Sequence, residues 1–253
     1  MSAGKKIAVV GATGRVGHHL VDVLKERGHD VVRISRGHGV DVITGEGLAD
    51  ALAGVECIVD AASGPSPEQQ AATEFFTTAA RNLQEAGRRA GVQRIVVVSI
   101  IGTDRLKGGY GVAKVAHEQA TLSGPIPARV LRATQFHEFV EQLLQWGTQG
   151  EVSYVPKMRT QLVAARTVAE ALADLAADPE SAPGPTLEVA GPREEILVEM
   201  AKLLVARRGN SLRVEAERDP VDGDVYESGA LLPSPHARLG GPTFEEWLDA
   251  VTR

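Results

Sequence analysis

Apolar positions along this chain follow two rhythms that take turns. Lys6–Val10 is a short β-branched run that stops at Gly11, the signature of a strand closed by a turn. From Val16 to Arg27 the period lengthens. Val16, Leu20, Val23 and Leu24 fall on one side of a helix, and Gly28 follows as its stop. The alternation then repeats. Strands are predicted over Asp30–Ile34 and Val40–Ile43, with a short helix over Leu48–Leu52 closed by Gly54. A strand over Glu56–Ala61 leads to a long helix over Pro67–Ala90, ended by Gly91. Gln93–Ser99 is an unbroken apolar run, as expected of a strand buried on both faces. A helix over Val112–Leu122 and a strand over Ala128–Arg132 complete the series. Strand alternating with helix calls for a parallel sheet with right-handed crossovers.

The rhythm changes after Arg132. Phe136–Trp146 has an apolar face made by Phe136, Phe139, Val140, Leu143 and Leu144. A strand near Val152–Val155, a helix near Val168–Ala176, a proline-rich break at Pro179–Pro185, a strand at Thr186–Ala190 and a helix at Glu194–Ala206 are expected next. Asp219–Pro242 reads as one long loop and Phe244–Val251 as a last short helix. The expected division is a core over 1–133 and a mixed segment over 134–253 that is packed on it and forms the substrate pocket.

Composition narrows the picture slightly. Of 253 residues, 43% are apolar and 24% charged, an ordinary globular balance with ample core material. The net charge of -6 argues against nucleic acid as a partner, since phosphate binding leaves a basic footprint. No apolar stretch reaches the length of a membrane span, and residues 1–6 are too short and polar for a signal peptide. The single cysteine, Cys57, excludes an intrachain disulfide and fits a reducing cytoplasm. It reads as a small buried hydrophobe. His18 and His19 have no partner at metal-ligand spacing, so no metal site is expected.

The strongest chemical signal is Gly11-Ala12-Thr13-Gly14-Arg15-Val16-Gly17, which follows the first strand and opens the first helix. In that context Gly11 permits the tight turn, Gly14 lets the backbone approach a pyrophosphate, and Gly17 lets helix pack on strand. The helix N-terminus offers free N–H groups to the phosphates. The expected fold class is therefore α/β, a Rossmann doubly wound parallel sheet with a small C-terminal substrate-binding segment. The second strand ends Arg33-Ile34-Ser35-Arg36. There is no acid to bond a ribose 2′-hydroxyl, whereas Ser35 and Arg36 can hold a 2′-phosphate, with Arg15 as a second phosphate partner. This favours NADP(H) over NAD(H), the alternative being that Arg36 is only solvated. Asp41 and Val42 fall near the expected adenine, and Ala61, Ala62 and Ser63 near ribose and nicotinamide. No Gly-x-Ser-x-Gly or P-loop is present.

These residues resemble the atypical short-chain dehydrogenases/reductases, in their NmrA-like group. The resemblance is carried by the glycine motif and by Ser99-Ile100-Ile101-Gly102-Thr103-Asp104, Tyr110-Gly111-Val112-Ala113-Lys114, Leu131-Arg132-Ala133-Thr134-Gln135-Phe136 and Leu187-Glu188-Val189-Ala190-Gly191-Pro192. It covers roughly residues 5–195. The tail matches less specifically, through Gly229–Pro233 and Phe244–Leu248. The resemblance implies a monomeric or homodimeric protein with a cleft between its two parts. It further implies that Tyr110 passes a proton, Lys114 lowers the phenol pKa and bonds the ribose, and Ser99 orients the substrate oxygen. Spacing agrees with the pair, because residues four apart at a helix start share a face. The plainer readings are a structural tyrosine and a lysine that binds ribose alone. Ser99 precedes Tyr110 by a shorter gap than is usual in the family. Gln135 is a candidate for cofactor or substrate contact, and Phe136, His137, Met158 and Gln161 for the substrate pocket. His137 is an alternative acid or base. His117 and Glu118 are expected on the solvated side of their helix.

The function expected is an NADP(H)-dependent oxidoreductase that passes hydride to or from a small carbonyl, quinone or enone, with Tyr110 as proton donor. The alternatives are a non-catalytic NADP-binding regulator of a partner protein and an epimerase or isomerase with tightly held cofactor.

Overall fold

The structure is a computed structural model that describes residues 4–178, 180, 181 and 184–251. The expected proline-rich break at 179–185 lies partly outside the described residues. The elements run β1 (Lys6–Val10), α1 (Gly17–Glu26), β2 (Asp30–Ile34), α2 (Leu48–Ala51), β3 (Cys57–Asp60), α3 (Gln69–Ala90), β4 (Arg94–Ile100), α4 (Gly109–Leu122) and β5 (Ala128–Ala133). They continue with α5 (Phe139–Gly147), β6 (Thr148–Gln149), β7 (Val152–Pro156), β8 (Arg159–Thr160), α6 (Ala165–Ala177), β9 (Thr186–Ala190), β10 (Glu195–Ile196), α7 (Leu197–Arg207), β11 (Arg213–Glu217), α8 (Gly223–Ser228), β12 (Arg238–Leu239) and α9 (Phe244–Val251).

A seven-stranded parallel sheet has the order β12-β9-β5-β4-β3-β1-β2, the Rossmann-like α/β fold expected. β1 pairs in parallel with both β2 and β3, Val10 opposite Ile34 and Asp60. The order of connection reverses at β1, and ligands of such sheets bind beyond the strand ends at that reversal. The strand expected at Val40–Ile43 does not form. Asp41 Oδ1 accepts the N–H groups of Ile43 at 2.7 Å and Thr44 at 3.3 Å, so its own side chain turns the segment out of an extended path. Asn82 of α3 fastens that turn by donating to the carbonyls of Val42 and Ile43. The expected long loop at 219–242 likewise contains α8 and β12.

The chain divides into two compact units. The first comprises the chain through Ser99, Gly109–Arg132 and Val168–Leu187. The second comprises Ile100–Gly108, Ala133–Thr167 and the chain from Glu188 onward. The first has its core in Ala8, Val10, Ile34, Leu48, Ile58, Leu83 and Ile95, contributed by strands and by α2 and α3. The second is built on Val140, Leu144, Val155, Leu162, Leu204, Phe244 and Leu248. In the first unit, buried Gln84 of α3 donates to Thr121 O at 2.7 Å and accepts the Ile126 N–H at 2.9 Å. This ties α3 to the end of α4.

Candidate functional site

The site begins where β1 stops. Gly11 has φ of +73°, and a Cβ there would lie 2.8 Å from Ala61 O and Ala62 Cα. Gly17 is tighter, since a Cβ would lie 2.0 Å from Gly11 O. Gly14 differs: its Cβ would meet only Gly11 O, at 3.2 Å. Two glycines therefore serve the close approach of the strand turn, its β3 neighbour and the helix start, while the third leaves a cradle open at the head of α1. Thr13 is exposed, Arg15 half-buried and Val16 buried. Ala61 and Ala62 are half-buried and Ser63 exposed beside this turn. A cradle of this kind at a helix N-terminus fits a pyrophosphate.

At the end of β2, Ser35 Oγ lies 2.7 Å from His38 Nδ1, and Arg36 is exposed at the start of a single turn of 3-10 helix over Arg36–His38. Ser35 and His38 are thus paired at this strand end, Arg36 lies between them in sequence, and none of residues 35–38 is an acid. Asp41 is half-buried with one oxygen engaged in its own turn, and Val42 is half-buried and packed against the core of the first unit.

The strand and helix that follow bring together a cluster that the sequence only half disclosed. α4 starts at Gly109, earlier than expected, so Tyr110 and Lys114 stand on one helix. Lys114 is 5% exposed. Its Nζ donates to Val98 O at 2.7 Å, lies 2.9 Å from His117 Nδ1 and sits 4.4 Å from the centre of the Phe76 ring. His117 Nε2 lies 3.0 Å from Asp60 Oδ2, and Asp60 Oδ1 accepts the Ala62 N–H at 3.0 Å. Phe76 stacks on His117 and meets Tyr110 edge-on.

Burial pushes the Lys114 ammonium down to about 8 against the opposing pull of Asp60 and Glu118. Burial, with the Lys114 charge, lowers His117 as well. Burial works to raise the Asp60 carboxyl, but His117, the Ala62 N–H and Lys114 outweigh it and hold it below the usual carboxylate range. Tyr110 is raised to about 12 by burial and then by the Asp60 charge. Ser99 Oγ, at the end of β4, is buried without a hydrogen-bond partner among the described residues.

The expectation that His117 and Glu118 face solvent is overturned. His117 is wholly buried, and Glu118 is buried in a two-pronged pair with Arg132, at 3.0 and 2.7 Å. Neither Asp60 nor His117 was singled out as a site residue. The signals were present: an acid closes an otherwise apolar strand, and a histidine follows Lys114 by three residues on the same helix face.

The remaining candidates belong to the second unit. Gln135 Oε1 accepts from Thr160 Oγ1 at 2.6 Å, and Phe136 bridges to Val163. Gln161 Nε2 donates to Gly191 O at 2.7 Å. Met158 is a core residue. His137 is wholly buried against Phe244 and Trp247, with Nε2 3.1 Å from Pro242 O, and burial lowers its pKa to about 4. Its surroundings are those of a packed neutral ring. Cys57, buried and pushed up to about 12, is an inert thiol.

Residues 11–133 match the NAD(P)H-binding family. This stretch is an NAD(P)-binding domain. The glycine cradle, the Ser35–Arg36 strand end and the Asp60–His117–Lys114 cluster all lie within this NAD(P)-binding domain. Over 112 residues the chain is 32% identical to a 3-beta-hydroxysteroid dehydrogenase of Mycolicibacterium neoaurum. The aligned stretch is 36% of this chain and 31% of that protein, so the chain spans about a third of the curated relative it matches. A short-chain dehydrogenase/reductase superfamily protein of Agrobacterium tumefaciens, solved with bound NAD, has a similar structure. It is 19% identical, with TM-score 0.68, over 98% of this chain and 96% of that one. A UDP-N-acetylglucosamine 4-epimerase of Bacillus cereus is 18% identical, with TM-score 0.69, over 98% and 96%. The NAD(P)-binding domain thus has the fold of the short-chain dehydrogenase/reductase and epimerase–dehydratase proteins. Among the described residues, no helix is long and apolar enough to cross a membrane.

Proposed function

We propose that this chain is an NADP(H)-dependent oxidoreductase that passes hydride to or from a small carbonyl, quinone or enone. The reading is carried by one observation: Tyr110 and a buried, charged Lys114 share the first turns of α4 within an NAD(P)-binding domain. The nicotinamide, when bound, supplies the hydride chemistry. Gly11, Gly14 and Gly17 make room for the pyrophosphate. Ser35 and Arg36, with Arg15, answer a 2′-phosphate. Asp41, Val42, Ala61, Ala62, Ser63 and Gln135 are the further cofactor contacts in this reading, and Lys114 the ribose contact.

Tyr110 is held protonated by its burial, which is the form that donates a proton from Oη to a substrate oxygen during reduction. Ser99 Oγ, buried with no partner among the described residues, is the hydroxyl that orients that oxygen. Residues 134–253 supply substrate contacts, with Phe136 and Gln161 the foremost. His137 and Met158 shape that part of the chain from its core. The buried, protonated Cys57 fits a reducing cytoplasm, and the chain is expected to act as a monomer or homodimer on a small molecule.

The test is NADPH oxidation with a panel of quinones, enones and carbonyls, by the parent and by Tyr110→Phe. Turnover that falls by about a hundredfold or more in Tyr110→Phe supports the tyrosine as donor. Turnover kept in the variant removes Tyr110 from the mechanism.

A second reading, an NADP-binding regulator of the NmrA-like kind, is favoured by one feature. The Tyr110 phenol is raised by burial and by the Asp60 charge. Tight NADPH binding with no turnover of any panel member supports that reading. A third, an epimerase or isomerase that returns the hydride to the same molecule, draws on the likeness to the 4-epimerase fold. It predicts interconversion of isomers with no net change in NADPH absorbance.

A further inference from the structure

The Lys114 cluster is constrained by which atoms can donate. A lysine ammonium has hydrogen-bond donors only. His117 Nδ1, 2.9 Å from Nζ, must therefore present its lone pair, and the ring hydrogen must sit on Nε2. That nitrogen faces Asp60 Oδ2 at 3.0 Å, an acceptor that requires a hydrogen there. The second carboxylate oxygen is occupied by the Ala62 N–H, so Asp60 cannot turn away. A doubly protonated ring would set an N–H against the ammonium. Each partner thus admits one protonation state of the next.

We propose that Asp60 and His117 are positioning residues for Lys114: Asp60 fixes the ring hydrogen on His117 Nε2, and the bare Nδ1 then holds the Lys114 ammonium at Val98 O for its work at the cofactor. The proposal rests on the reading that Lys114 serves a bound dinucleotide. The groups facing Nζ come from four elements. They are Asp60 from β3, the Phe76 ring from α3, Val98 O from β4, and His117 with Glu118 from α4 itself. Glu118 is already engaged by Arg132, which leaves the charge of Asp60, relayed through a neutral imidazole, as the counterpart of the ammonium. Phe76 keeps the imidazole plane in place by stacking on it at 4.4 Å and 14°.

The consequence is specific. In Asp60→Asn, the Ala62 N–H retains the amide oxygen and the NH2 group turns to His117 Nε2. That nitrogen must then become the acceptor. The ring hydrogen moves to Nδ1 and confronts Lys114. His117→Phe keeps the stack on Phe76 and removes the acceptor outright.

The experiment is nitrogen NMR of the labelled, cofactor-free protein, followed by NADPH titration by fluorescence. Between about pH 6 and 8, the parent is expected to show Nε2 protonated and Nδ1 bare on His117. Asp60→Asn is expected to exchange the two, to shift the Lys114 Nζ resonance, and to weaken NADPH binding roughly tenfold, the loss of one hydrogen bond to a charged group. His117→Phe is expected to weaken binding to the same extent. A protonated Nδ1 in the parent overturns the proposal even where both variants fail to fold. So does a folded Asp60→Asn whose Lys114 resonance or NADPH affinity matches the parent. The nitrogen spectra need no turnover, so a parent with the expected ring state that reduces no substrate leaves the positioning intact and removes the oxidoreductase reading instead.

Discussion

A methyl group at Gly17 would have nowhere to go, because it would meet Gly11 O at 2.0 Å. Gly17→Ala is expected to cost about 2–4 kcal/mol in urea unfolding and to lose NADPH binding with it. Gly14→Ala is expected to behave differently. Its Cβ meets only Gly11 O, at 3.2 Å, so stability should hold within about 1 kcal/mol while NADPH affinity falls. Equal losses of stability for the two variants would contradict the division of labour between these glycines. His137 gives a pH dependence. Its pKa is about 4 in the folded chain against 6.5 unfolded, so the unfolded chain binds the extra proton first as pH falls. The stability it contributes is whole above 6.5 and is lost on the way down to about 4, on the order of 3 kcal/mol. His137→Phe, which keeps the packing on Phe244 and Trp247, should flatten that fall. An unchanged slope between pH 6.5 and 4 would assign the effect elsewhere. At this scale the sequence disclosed what local spacing can carry. The three glycines and the Tyr110–Lys114 pair are such cases. Asp60 and His117 lie 57 residues apart, and only the crossover from β3 to α4 makes them neighbours.

Among the elements, the regular ones were legible because one burial rule governs each. β4 has an apolar centre over Ile95–Val98, and α1 and α3 have a single apolar face. The failures have local causes. Val40–Ile43 has the residue types of a strand, yet the Asp41 side chain competes for the backbone and wins. α4 was expected over Val112–Leu122, whereas it begins at Gly109 and packs on α3. That packing depends on Gln84, whose amide satisfies Thr121 O and the Ile126 N–H in the interior. Gln84→Leu should strand both groups and cost about 2–4 kcal/mol in thermal unfolding. A loss below about 0.5 kcal/mol would mean that the two groups find other partners. Because α4 carries both Tyr110 and Lys114, the same variant should weaken NADPH binding more than a surface substitution of equal stability does.

For the whole molecule, a ligand that binds only the folded chain stabilises it by mass action. NADPH at a hundred times its dissociation constant should add about 2.7 kcal/mol, a rise of roughly 5–10 °C in Tm for a chain of this size. If Ser35 and Arg36 answer a 2′-phosphate, NADH at the same concentration should give a smaller rise, and Arg36→Ala should erase the difference. Equal shifts with both dinucleotides in the parent would remove the NADP preference. The parallel sheet and the domain at residues 11–133 were legible in the alternation of runs and in one glycine motif. The two compact units were not, because each gathers separate stretches of chain.

The turn at Asp41 also decides how the sheet ends. Among the described residues no strand lies beyond it, so β2 is the margin of the sheet, and its N–H and C=O groups on that side have no further strand to pair with there. An unpaired margin is a template for joining other chains. Here it carries exposed Asp30 and Arg33 among half-buried valines, and the opposite margin, β12, is only Arg238–Leu239. One border is guarded by charge and the other by brevity, so the sheet offers neighbouring copies little on which to grow.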